Sequence, residues 1–186
     1  MSETARQLWQ GVYPAATTQF TDTLAVDLDA TQRVQAALVE DGVDGLIILG
    51  TCGENNSLEP EEKRAVLRAA VEAVGGRVPL VAGVSELTTA RAIDYARAAE
   101  EIGIDALMLL PCMVYVPRVE ELYAHFRAVA EATAIPIMLY NNPPAYRVQV
   151  DFETLERLAD VPNIVAIKES APDPRRFTDI HNRFGN

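Results

Sequence analysis

Short runs of uninterrupted apolar residues recur along the chain at about 12–18, 45–50, 79–84, 105–110, 136–140 and 163–168, each followed by a stretch with helical spacing. Strands that are apolar on both faces are buried on both faces. That is the condition of a parallel sheet flanked by crossover helices, so the pattern reads as six βα units. Leu67, Val71 and Val74 share one face after Pro60, with Glu61, Glu62 and Lys63 in the first turn. Leu122, Phe126 and Val129 form a similar stripe after Pro117, and Ala92, Ala96 and Ala99 a smaller one suited to close helix–strand packing.

Internal repeats bear on how such a sheet is wound. DGVDGLIIL (41–49) resembles IGIDALMLL (102–110), and RVPLVAG (77–83) resembles AIPIMLY (134–140). The offset of about sixty residues covers two βα units of roughly thirty each. The fold class expected is therefore α/β, a (β/α)8 TIM barrel of which six units are present. A doubly wound sheet is the competing architecture, but no G-x-G-x-x-G follows a strand and no G-x-x-x-x-G-K-[ST] occurs. An eight-stranded barrel needs about 250 residues. Residues 1–186 thus read as a single partial-barrel domain lacking the last two units, which more chain or some other arrangement would have to supply.

Composition narrows the partners. With 49% hydrophobic and 23% charged residues the chain can bury a core. A formal net charge of −11 without a basic cluster argues against nucleic acid and anionic membrane. Two cysteines, Cys52 and Cys112, suggest no disulfide framework. No signal-like or membrane-spanning run occurs, so a cytoplasmic location is expected.

Active sites of parallel barrels lie at the C-terminal ends of the strands. There the sequence places Thr51-Cys52, Tyr140 and Lys168. An amine at an apolar barrel mouth loses hydration, which disfavours its charged form and leaves a nucleophile able to attack a carbonyl. A tyrosine hydroxyl linked to a threonine hydroxyl can relay the protons that imine formation requires. Backbone N–H groups in the GTCGE turn can hold a carboxylate. This chemistry needs no metal or cofactor. His125, mid-helix, and His181, near the end, read as ordinary surface residues, and Glu59, Glu61 and Glu62 as a helix start.

Four stretches, GTCGENNSL (50–58), GRVPLVAGV (76–84), YNNPPAY (140–146) and NIVAIKES (163–170), together resemble the dihydrodipicolinate synthase/N-acetylneuraminate lyase family of Schiff-base barrels. The resemblance runs from about Gly11 to the end. It implies a homotetrameric barrel followed by a helical region not present in this sequence, with Lys168 as the Schiff-base residue and Tyr140 as the proton-relay residue. Thr51 would pass protons to Tyr140, Thr51 and Cys52 would bind a 2-oxo acid carboxylate, and Glu54 would brace the loop. Where lysine-biosynthetic members carry an arginine for the second substrate, this chain has Ala145, and Arg147 is the nearest substitute. Their tyrosine pair is replaced by Cys112-Met113, with Tyr115 nearby. These departures point away from 4-hydroxy-tetrahydrodipicolinate synthase. They favour a catabolic member, and GTCGENNSLEPEEK (50–63) with NNPPAY (141–146) resembles members that dehydrate and deaminate a hydroxypyrroline-carboxylate type cyclic imine, with retro-aldol release of pyruvate from a sugar-acid 2-oxo compound as the alternative. A non-catalytic assembly module is the alternative of another class.

Overall fold

The computed structural model describes residues 8–112 and 114–185. In chain order its elements are α1 (Leu28–Glu40), β1 (Leu46–Ile48), α2 (Pro60–Val74), β2 (Leu80–Val84), α3 (Thr89–Ile102) and β3 (Ala106–Leu109). There follow α4 (Val119–Ala130), β4 (Ile137–Asn141), a single turn α5 (Pro143–Tyr146), α6 (Phe152–Leu158), β5 (Ile164–Glu169) and α7 (Arg175–Phe184).

Local chemistry sets the helix boundaries. Pro60 opens α2 where its missing N–H is no loss, and the Glu62 carboxylate reaches back to accept from the Glu59 N–H at 2.9 Å. Gly75, at φ 59°, ends the same helix in the left-handed conformation that spares other residues the steric cost. Thr88 and Asp151 cap α3 and α6 by accepting from the N–H groups of Arg91 and Thr154.

The five strands are all parallel and lie side by side in chain order. A doubly wound sheet reverses its strand order at a switch point. Here nothing reverses, so the arrangement is the arc of a (β/α)8 barrel wall. Among the described residues five strands form rather than six. The 12–18 run contributes only one parallel bridge, Ala15 to Ile47, held by Ala16 N–H to Ile47 O and Ile47 N–H to Pro14 O, both at 2.9 Å. Pro14 has no N–H with which to extend a ladder.

Alternation along the strands sorts their side chains into two layers. Leu46, Ile48, Leu80, Ala82, Leu107, Leu109, Ile137 and Leu139 pack outward against Val66, Leu67, Ala96, Ala99, Leu122 and Phe126 of the helices. Ile47, Val81, Ala106, Met108, Leu110 and Tyr140 pack inward. Every residue of β5 is half-buried. An apolar groove of about 420 Å³ lies along it, lined in part by Leu139, Leu158, Ile164, Ile180 and Phe184, and includes none of the predicted site residues.

Candidate active site

Strand register builds the first half of the site. Met138 and Tyr140 face inward on β4, and the β4–β5 ladder pairs Tyr140 with Lys168. Lys168 therefore shares the inner face. Its Nζ lies 4.2 Å from the centroid of the Tyr140 ring, a cation–π distance for the ammonium form and a contact that keeps the amine beside the phenol. Tyr140 is buried and Lys168 half-buried. The run of apolar residues ahead of Lys168 carries it there because a strand offers alternate residues to one face.

The next residues of the same two strands lock them together from the outer side. Asn141 pairs with Glu169 in register, and its Nδ2 donates to Glu169 Oε1 at 2.7 Å, as does the N–H of Ala171. Arg176 of α7 donates through Nε to Glu169 Oε2 at 2.6 Å and through its terminal nitrogen to the buried carbonyl of Val150. Both charged side chains are nearly sealed from water, at 7% and 11% exposure. Charge-assisted bonds of this kind fix strand ends more firmly than neutral ones.

The second half is the turn after β1. Leu49 and Glu54 both have positive φ, 54° and 57°, enclosing Gly50-Thr51-Cys52-Gly53. The turn closes through Gly53 N–H to Gly50 O at 3.0 Å and Glu54 N–H to Thr51 O at 3.1 Å. It is pinned by the Thr18 hydroxyl donating to Gly53 O at 2.7 Å and by Asn55 Nδ2 donating to Gly83 O at 3.0 Å. The N–H groups of Thr51 and Cys52 meet no acceptor among the described residues and remain available to an anion. Both residues are exposed, and the Cys52 thiol is free. Glu54 braces the turn through its backbone; its carboxylate makes no hydrogen bond among the described residues.

Three expectations are corrected by the geometry. The Thr51 hydroxyl meets Tyr146 rather than Tyr140, at 2.8 Å. Tyr140 OH instead accepts from Asn142 Nδ2 at 3.0 Å. Arg147 is exposed at φ 58° after α5, and its side chain has no partner among the described residues, so it is not gathered with Lys168. His125 is buried, not on the surface. Its Nε2 lies 3.2 Å from Leu110 O, and its Nδ1 faces Thr89 Oγ1 at 3.0 Å and Cys112 Sγ at 3.3 Å. With Nε2 donating to the carbonyl, Nδ1 is the acceptor, and burial holds the imidazole below its ordinary value. Burial also pushes the Cys112 thiol up, against a smaller opposing effect of its bond to Thr89.

Tyr146 is the site residue that the sequence reading passed over. Its signal is local: Asn142 accepts from Ala145 N–H at the start of a turn whose Pro143 and Pro144 restrict φ, and that turn carries Tyr146 back toward the strand ends. Met113, in the expected tyrosine-pair stretch, lies outside the described residues, while Tyr115 is exposed. Among the described residues no cluster of three or more His, Cys, Asp or Glu is placed to hold a metal ion, and no helix is long and apolar enough to cross a membrane.

Similarity to known proteins agrees with this geometry. Residues 8–186 match the model of the dihydrodipicolinate synthetase family. A 4-hydroxy-tetrahydrodipicolinate synthase 2 of Streptomyces coelicolor is 46% identical over 94% of the chain and 58% of its own length. The crystal structure of dihydrodipicolinate synthase from Aquifex aeolicus superposes with a TM-score of 0.91 at 32% identity, over 96% of this chain and 61% of that one. The chloride-inhibited enzyme from Acinetobacter baumannii, complexed with pyruvate, gives 0.90 at 32% identity, over 95% and 61%. The chain thus spans about three fifths of the length of the relatives it matches. Over that length, with strand order, turn and lysine all in place, it belongs to the dihydrodipicolinate synthetase family.

Proposed function

We propose that this chain carries the Schiff-base centre of a metal-free class I enzyme acting on pyruvate or a related 2-oxo acid, of the 4-hydroxy-tetrahydrodipicolinate synthase type. The observation that carries the reading is the placement of Lys168 Nζ 4.2 Å from the centre of the buried Tyr140 ring. Lys168 attacks the keto carbon, Tyr140 handles the proton, and the free N–H groups of Thr51 and Cys52 receive the carboxylate. The names of the relatives support synthase chemistry. The deamination suggested by GTCGENNSLEPEEK and NNPPAY finds no such support and is set aside in its favour. The same reading takes residues 1–186 as part of a (β/α)8 barrel in a homo-oligomer, with further units pairing against the open edge of β5.

Incubation with pyruvate and sodium borohydride is the test. A reduced adduct is expected on the peptide containing Lys168 and is expected to vanish in Lys168→Met; an unmodified Lys168 in the folded chain refutes the proposal. A second reading, retro-aldol release of pyruvate from a sugar-acid 2-oxo compound, is favoured by one observation. Ala145 stands where the resemblance places an arginine, and its methyl group offers none of the carboxylate grip that a charged second substrate needs. Pyruvate consumption with a carboxylate-bearing aldehyde, measured against pyruvate release from the sugar acid, separates the two.

A further inference from the structure

Tyr140 and Asn142 stand two residues apart where β4 ends, and a spacing of two returns side chains to one face. Asn141, between them, faces outward, and its amide is fully engaged there: Nδ2 donates to Glu169 Oε1 at 2.7 Å and Oδ1 accepts from Val150 N–H at 2.8 Å. The half-buried amide of Asn142 is engaged at both ends as well. Its Oδ1 accepts from Ala145 N–H at 3.4 Å as the N-cap of α5, and its Nδ2 donates to the Tyr140 hydroxyl oxygen at 3.0 Å. Only an oxygen can accept from a backbone N–H, so the cap decides which end of the amide faces the phenol. Pro143 bars Asn142 from the helical region and holds it at φ −141°, which directs that amide back over the strand end. We propose that Asn142 is a positioning residue for Tyr140, its amide N–H fixing the phenol oxygen and leaving the phenol hydrogen to be given to the reacting group. The inference rests on the Schiff-base reading above.

The bond would matter at one step. In the carbinolamine on Lys168 the nitrogen lone pair forms the C=N bond, the C–O bond breaks, and the departing hydroxide takes the Tyr140 proton and leaves as water. Neutral carbinolamine and neutral phenol thereby become a protonated imine, a phenolate and water. Hydrolysis of the product imine runs the step backward and restores the phenol. Negative charge gathers on the Tyr140 oxygen as its proton departs, and a preset N–H donor aimed at that oxygen stabilises the charge more than it stabilises the ground state.

Asn142→Ser is the discriminating variant, because serine still caps α5 but is too short to reach the phenol. The full chain is mixed with pyruvate, and the rate of borohydride-trappable adduct formation at Lys168 is followed against pyruvate concentration. The saturating rate is expected to fall about 10- to 100-fold, with half-saturation and the melting curve unchanged. Asn142→Asp, also a good cap, should lose more, since its carboxylate would accept the phenol hydrogen and withhold it from the substrate. In a Tyr140→Phe background Asn142→Ser should cost nothing further. Should both Asn142 variants fold poorly, the bond is read in the Tyr140→Phe chain, where the Asn142 side-chain amide protons should move in an NMR spectrum toward the position of an unbonded amide. A saturating rate within about twofold of the parent in Asn142→Ser, a change confined to half-saturation, losses that multiply with Tyr140→Phe, or unmoved amide protons would overturn the assignment and leave the lysine chemistry intact. Absence of any Lys168 adduct in the unsubstituted chain would instead overturn the Schiff-base reading, and the role of Asn142 with it.

Discussion

Arg176→Met is expected to destabilise the fold well beyond a surface substitution, because it opens the clasp behind the two strands that carry Tyr140 and Lys168. The guanidinium makes two bonds there, 2.6 Å to Glu169 Oε2 and a second to the carbonyl of Val150, a residue with 0% exposure. Breaking a buried ion pair by removing one partner costs about 3–5 kcal/mol. The lower end applies, since Glu169 Oε1 keeps two donors at 2.7 Å, Asn141 Nδ2 and Ala171 N–H. The abandoned Val150 carbonyl adds about 1 kcal/mol. The sum of about 4 kcal/mol corresponds to a fall of roughly 8–16 °C in Tm for a chain of this size. Glu169→Gln keeps much of the geometry and should cost about half as much. In the pair of variants together the losses should fall short of additivity by more than about 1 kcal/mol. Urea titrations followed by circular dichroism give the comparison, with the slope checked for constancy. A midpoint shift worth less than about 1 kcal/mol for Arg176→Met, or strict additivity in the double variant, would show that the clasp is not holding the strand ends.

Three further outcomes are expected. Gly83→Ala should destabilise the chain and disturb the Thr51 turn, because the new Cβ would sit 2.3 Å from the Leu49 carbonyl oxygen; an unchanged melting curve would refute the close approach. Burial holds His125 below its ordinary value, so the unfolded chain gains a proton that the folded chain does not, and stability should fall as pH drops below about 6.5; His125→Gln should flatten that slope. Iodoacetamide should label exposed Cys52 well before half-buried Cys112, whose thiol burial pushes up, as peptide mass spectrometry would reveal; Cys112 reacting first would contradict the arrangement.

Much of the fold was legible because strand and helix periods are local properties of the chain. The continuous apolar runs marked β1 to β5, the Pro60 and glutamate pattern marked the start of α2, and the alanine stripe at 92, 96 and 99 is fully buried. The first run failed where one residue, Pro14, lacks the donor a ladder needs. His125 was misread although it lies three residues after Leu122, beside the buried stripe of α4, because a stripe gives no account of the loop that covers its edge.

The amino-acid sequence by itself determined that Lys168 and Tyr140 would each fall at the C-terminal end of an apolar strand. Given a parallel sheet, alternation then sent both to one face. Which hydroxyl meets which was decided by the tertiary structure alone. Thr51 and Tyr146 are 95 residues apart, and their 2.8 Å contact depends on the sheet bringing the end of β1 near the turn after β4. A repeat of two or 3.6 residues dictates the face a side chain presents, whereas the partner it finds there depends on how the whole wall bends, which no short stretch of residues encodes.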